Sequence, residues 1–417
     1  MMVYEQALRS LIALQEDTGA SQEQINRYKN LVLLHQQLYN TKAGLAIASA
    51  PGRVEIIGNH TDHNHGLVLA AAVNMDTVAA FSPRDDLQVN LTSEGYEAIS
   101  LNLKELNPVA EEAGTSRALI RGVAAGLVAR GYRIGGFDAV MSSQVLSGSG
   151  LSSSAAFEVL VCYILDLLYN QGAMDAVTRA QVSQYAENAF FMKPSGLMDQ
   201  MASSFGGLVE IYFKDQQPKV ATLQIAFQDA GYSMVIVNTR SSHDDLTPAY
   251  AAIPREMKAA AQAAGGHLLR DVDFDVFLSV LPKVQREAGD RAVLRALHFY
   301  QENQRVLAAV EALKDHDFEA FFAAVNASGL SSWTQLQNIT VHEDQQPIAL
   351  ALAVARQVLA GSGACRVHGG GFAGTTLNFV PFHKLDQFTR AMEALFGAGC
   401  CHELDVRPEG AKLVLSY

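Results

Sequence analysis

The sequence predicts an α/β (α+β) protein organised as two domains or one large α/β unit. Three observations point there. A chain of 417 residues is longer than one compact core usually accommodates. Hydrophobic residues make up 49% and charged residues 18%, which excludes a disordered or fibrous chain. Helical and strand patterns alternate along most of its length.

The elements follow in order. Residues 5–39 read as two helices. Leu8, Leu11 and Ile12 share one face, and Ser21-x-x-Gln24 offers a capping box before Ile25, Tyr28, Val32 and Leu38. "GLAIASAPGRVEIIG" reads as strand, turn, strand, with Pro51–Gly52 at the turn. Residues 67–95 continue as β structure, with a turn at Pro83–Asp86. A helix is expected from Thr115 to about Arg130, stopped by Gly131. The strand "FDAVMSSQV" runs into the loop "LSGSGLSSS". The following "AAFEVLVCYILDLLYN" is apolar nearly all round and predicts a buried helix. "GLVEIYF" and "SMVIVNT" read as strands, 250–330 as mostly helical, and "TTLNFVP" and "AKLVLSY" as closing strands. A domain break is expected near residue 230, dividing 1–230 from 231–417.

Composition narrows the function. A net charge of −12 argues against binding a phosphate backbone, which needs a basic face, but not against a small anion held by a few placed donors. The four cysteines, Cys162, Cys365, Cys400 and Cys401, form no C-x-x-C pair, and reduced thiols in a cytoplasm are expected. No apolar run reaches about 18 residues, so no membrane span is predicted. The start "MMVYEQALRS" lacks a basic segment followed by an apolar one, so no signal peptide is expected.

Three loops carry chemistry. In Gly148–Ser154, between a strand and a buried helix, glycines allow close backbone approach and the helix start presents N–H groups to an anion. Ser152, Ser153 and Ser154 add hydroxyls for phosphate oxygens or magnesium. The loop lacks the lysine of a Walker A motif, and Ser153 replaces the third glycine of a dinucleotide fingerprint. A plain helix cap is the alternative. In "VHGGGFAGTTLNFV", Gly369, Gly370, Gly371 and Gly374 imply a close approach by a ligand or loop, or a β-bulge. In "YAENAFFMKPSGLMDQMASSFGG", Leu197, Met198 and Met201 would desolvate Asp199, as suits a proton acceptor, although a helix-capping aspartate reads the same. The turn "GRVEIIGNHTDHNHG" packs His60, His63 and His65 around Asp62. A zinc set lacks an obvious fourth ligand, and a calcium loop lacks its spacing, with Val73 where the closing glutamate belongs.

Taken together and in order, these motifs resemble the small-molecule kinases named for galactokinase, homoserine kinase, mevalonate kinase and phosphomevalonate kinase (GHMP), and within them the galactokinase branch. "APGRVEIIGNHTDHNHG" is similar to A-P-G-R-V-N-L-I-G-E-H-T-D-Y-N-x-G, and "GSGLSSSAAFE" to G-x-G-L-S-S-S-A-S-L-E. "SGLMDQ" is similar to C-G-I-M-D-Q, and "HGGGFAGTT" to G-G-G-F-G-G-C-T. The resemblance implies two α/β domains with the active site in the cleft between them. It implies phosphorylation of galactose at C1 by ATP, giving galactose 1-phosphate and ADP. By resemblance Asp199 takes or orients the sugar proton and Arg53 stabilises transition-state charge. Asn59, His60, Thr61, Asp62, Gly196 and Tyr250 fall at sugar-binding positions. Gly148, Ser149, Gly150, Leu151, Ser152, Ser153 and Ser154 form the ATP phosphate loop, with Ser154 and Glu187 as Mg2+ ligands. The implied partners are a small-molecule sugar and ATP, with neither nucleic acid nor membrane.

The pocket departs from the family pattern. Asn59 stands for glutamate, Glu55 for asparagine, His63 for tyrosine, Ala70 for proline, and Ser242 where many galactokinases have a basic residue. A shorter, neutral Asn59 implies a roomier, less negative pocket, so galacturonate, N-acetylgalactosamine or arabinose is an alternative substrate. A non-catalytic sugar and ATP sensor ranks lower, because Ser154–Ala155, lost in such relatives, is present.

Overall fold

The chain opens with α1 (Met2–Thr18) and α2 (Gln22–Leu38), packed through Tyr4, Ala7 and Leu11 against Ile25, Leu31 and Val32. The computed structural model describes every residue except Met1, 19–20, Ala43, 146–150, Pro194, Gln216, 242–245, Ala373 and Tyr417. Ser21 Oγ accepts from Gln24 N–H at 3.2 Å, but the Gln24 amide turns to Tyr28, so half the expected capping box forms. The buried stripe of α1 runs Tyr4–Ala7–Leu11, which leaves Ile12 facing solvent; Leu38, at the end of α2, is exposed as well.

Next comes β1 (Ala46–Ile57), a single strand where two were expected. Its partner β2 (Leu67–Pro83) pairs Pro51 with Asp76 and Arg53 with Ala72, so residues 73–75 of β2 arch out opposite Gly52. The chain turns no corner at Pro51, because this bulge absorbs the missing amide donor. The arch is covered by the C-terminal segment, where Val73 bridges Val406 and Arg407 N–H donates to Ala72.

The first half continues with β3 (Gln88–Ser93), β4 (Ile99–Asn102), α3 (Ser116–Ala129), β5 (Phe137–Ser143), α4 (Ser153–Tyr169) and α5 (Ala176–Ala189). Then come α6 (Met198–Phe205), β6 (Leu208–Tyr212) and β7 (Lys219–Leu223). As its apolar surface requires, α4 is buried, packed with α3 and α5. The second half holds β8 (Tyr232–Asn238), α7 (Thr247–Ala263), α8 (Phe274–Ser279), α9 (Leu281–Ala288), α10 (Asp290–Lys314), α11 (Phe318–Ser331) and α12 (Pro347–Leu359). It ends with β9 (Ala364–Val367), β10 (Thr375–Pro381), α13 (Leu385–Phe396), β11 (Cys401–Leu404) and β12 (Lys412–Ser416).

Two sheets result. The larger runs β12-β1-β2-β5-β3-β4, with β6 also on β2 and β7 on β6. Strand β2 changes partner midway, from β6 at residues 67–71 to β5 at 77–83. The smaller runs β11-β8-β10-β9, all antiparallel. One buried cluster joins Val54 and Ile56 of β1 to Met234 and Ile236 of β8, with Phe321 and Phe379 stacked edge-on at 5.4 Å. The expected boundary at 230 falls just before β8, but β12 pairs with β1, so the second half does not stay apart from the first. Among the described residues no helix is long and apolar enough to cross a membrane.

Candidate active site

A cavity of about 130 Å³ lies among β1, the turn after it, the first turn of α6 and the glycines before β10. Larger hollows exist, about 330 Å³ beside Asn326 and about 430 Å³ beside Arg255, but neither contains a motif carboxylate. Chemistry therefore selects the smaller one.

At its floor Arg53 grips Asp199 in a two-pronged pair, Nε to Oδ1 and Nη2 to Oδ2, both 2.7 Å. Ser152 donates its hydroxyl to the same Oδ2. It sits just before α4 at φ +54°, a left-handed conformation uncommon outside glycine. Burial would raise the Asp199 pKa, but Arg53 and Ser152 outweigh it and hold the carboxyl below its ordinary value. Arg53 N–H donates to Leu151 O at 3.2 Å, and a Cβ on Gly52 would sit 3.1 Å from that oxygen. Ser203 Oγ of α6 donates to Pro51 O at 2.7 Å. These contacts lock the end of the glycine-rich loop, β1 and α6 together. Gly148, Ser149 and Gly150 of that loop, and the substituted position Ser242, lie outside the described residues.

Glu187 of α5 stands beside α4. Its oxygens accept from Ser154 Oγ (3.0 Å), Lys193 Nζ (2.9 Å), Ser195 Oγ (2.6 Å) and Gln200 Nε2 (2.8 Å). Gln200 also reaches Glu158, whose second oxygen has no partner among the described residues; burial and the Glu187 charge push the Glu158 pKa well up. The pair Ser154–Glu187 fits a hard cation, with oxygen donors only and a lysine ammonium already against the carboxylate. No role was expected for Lys193, Ser195, Gln200 or Glu158. The signal available was their place within or beside the motifs that carry Ser154 and Asp199.

The histidine-rich turn is hung on α10. Glu302 Oε1 accepts from Gly58 N–H (3.0 Å) and Asn59 N–H (3.3 Å), His298 bonds Asn59 O (2.9 Å), and Asn303 accepts from Leu67 N–H (2.7 Å). Thr61 is fully buried, its hydroxyl committed to the carbonyls of Gly58 and Leu67, so it shapes the turn and does not face the cavity. His60 Nε2 meets Gly370 O at 2.9 Å; a carbonyl only accepts, so Nε2 carries the hydrogen and Nδ1 is the acceptor. Burial, then the neighbouring His63, lowers the His60 pKa to about 4. Asp62 lines the cavity beside Gly196, where any Cβ would strike its carboxylate. Tyr250 of α7 stacks edge-on with Phe372 and donates to Gly371 O at 2.6 Å, and it is not among the residues that line the cavity. Asn59 borders the cavity, yet its amide is bonded entirely within the protein. Among the described residues no three metal-ligating side chains converge on a cation site.

Comparison with known proteins finds similarity at two levels, sequence segments and fold. Residues 33–83 fit the galactokinase galactose-binding signature, and residues 118–207 fit the GHMP kinases N terminal domain. The fold superposes on Lactococcus lactis galactokinase complexed with galactose at TM-score 0.79 and 23% identity, covering 91% of this chain and 98% of that one. It superposes on Methanococcus jannaschii mevalonate kinase at TM-score 0.62 and 14% identity, covering 86% and 98%. A D-glycero-D-manno-heptose 1-phosphate kinase from Bacteriodes thetaiotaomicron gives 0.59 and 16%, covering 89% and 99%.

Proposed function

We propose that this chain, which belongs to the GHMP kinase family, phosphorylates galactose at its C1 hydroxyl with ATP. The observation that carries the reading is the Arg53–Asp199 pair at the floor of a cavity walled by the galactose-binding signature.

Phosphoryl transfer asks for positioning and charge stabilisation more than covalent help. Asp199, held ionised by Arg53, accepts a hydrogen bond from the attacking hydroxyl and orients it. A carboxylate of lowered pKa is a weak base, so it takes the proton late, as the oxygen–phosphorus bond forms. Arg53 places fixed positive charge where the transferred group passes. The N-terminus of α4 adds partial positive charge toward the phosphates. Ser154 and Glu187 are the residues that would hold magnesium, which when bound screens the phosphate charge. His60, through Nδ1, and Asp62 offer acceptors to sugar hydroxyls.

The test is ADP release by the purified chain over a panel of free sugars, with and without magnesium. Metal-dependent release with galactose is expected. A protein that binds ATP and sugar without turnover would instead be a sensor.

A further inference from the structure

Asn59 has no hydrogen-bonding capacity left for a ligand. An amide offers two N–H donors and an oxygen with two lone pairs. The donors go to Glu55 Oε1 (2.9 Å) and Gly369 O (2.8 Å), and the oxygen accepts from Asn338 Nδ2 (2.8 Å) and Ser332 Oγ (3.3 Å).

Glu55 differs. It lies two residues beyond Arg53 on β1 and so on the same face, about 7 Å along the strand. The residue opposite it on β2, Ala70, is too small to cover it. Its carboxylate is set by a fully buried guanidinium, with Arg366 Nη2 on Oε1 at 2.9 Å and Arg366 Nη1 on Ile56 O. Both side-chain hydrogen bonds land on Oε1, and among the described residues no partner takes Oε2. Glu55 lines the cavity and is 4% exposed. Position 59 has lost a carboxylate while position 55 holds one. The cavity wall carries three carboxylates, Glu55, Asp62 and Asp199, against two guanidinium groups, Arg53 on Asp199 and the buried Arg366 behind Glu55, so the balance stays negative.

We infer that Glu55, through Oε2, accepts a hydrogen bond from a sugar hydroxyl remote from the reacting one, and that the substrate is a neutral sugar and not a sugar acid. This rests on the sugar-kinase reading above and reverses the expectation that Asn59 makes room for galacturonate. Arg53 and Asp199 mark the reacting end, and Glu55 lines the same cavity.

Equilibrium binding of galactose and galacturonate to the full chain tests it without turnover. Wild type should bind galacturonate at least about tenfold more weakly than galactose. Glu55→Gln should weaken galactose about tenfold or more and narrow that gap. Circular dichroism establishes whether Glu55→Gln folds, since Arg366 loses its charge partner; if it does not fold, the wild-type comparison decides. Equal wild-type affinities, or a folded Glu55→Gln with unchanged galactose affinity, would overturn the inference. Tight, discriminating sugar binding without ADP release would sink the kinase reading and leave Glu55 standing.

Discussion

At Asp199 one substitution separates chemistry from binding. Asp199→Asn keeps the shape but cannot accept a proton, and turnover should fall about 10²–10⁴-fold while ATP affinity holds; near-normal turnover would refute the role. His60 yields a pH prediction. Its folded pKa of about 4 lies below the ordinary 6.5, so between those values the unfolded chain binds a proton that the folded chain refuses. Stability should therefore fall as pH drops from about 6.5 to about 4, by on the order of 3 kcal/mol from this residue. His60→Gln should flatten that part of a Tm-against-pH curve, and parallel curves would contradict the assignment. Asp199, Arg53, Ser154 and Glu187 were legible in the sequence as motif residues. The saturation of Asn59 was not, because Asn338, Ser332 and Gly369 lie far along the chain and nothing local signals them.

The elements that position the site are strand β1, the turn after it and helix α10. Glu302 is the hinge pin: it accepts from two turn amides and from Ser328 Oγ, and pairs with Arg305 at 2.7 Å. Burial would raise its pKa, but His298, the arginines and Ser328 hold it at about 2. Glu302→Ala strips a buried charge from its partners and should cost about 3–5 kcal/mol. Where the variant still folds, the sugar KM should rise more than the ATP KM. Equal rises, or an unchanged Tm, would remove Glu302 from the positioning of the turn. Periodicity made α3 and α4 legible, since each buries a continuous apolar face. It misread β1, because Pro51–Gly52 has the composition of a turn while the pairing partner supplies a bulge instead. Helix α10 was visible as a helix, but its grip on Gly58 spans 244 residues and leaves no local trace.

Over the whole molecule the chain's end completes its beginning. β12 pairs with β1, and Arg407 reaches Asp76 at 3.1 Å, which Arg27 of α2 also holds. Deleting residues 405–417 would uncover the edge of β1 and the β2 arch, so the truncated chain should lose cooperative unfolding or precipitate; an unchanged Tm would refute this closing role. The pairing of β12 with β1 was not legible, since strand pairing across the chain is not written in local composition. In the proposed reaction the Arg53–Asp199 cleft transfers phosphate from ATP to the sugar. ADP release with galactose, measured side by side for wild type and folded Asp199→Asn, tests it most directly. Sugar-dependent ADP release is expected from wild type, falling at least about 100-fold in the variant. Sugar-dependent release that survives in Asp199→Asn, or its absence from wild type with every sugar, would contradict it.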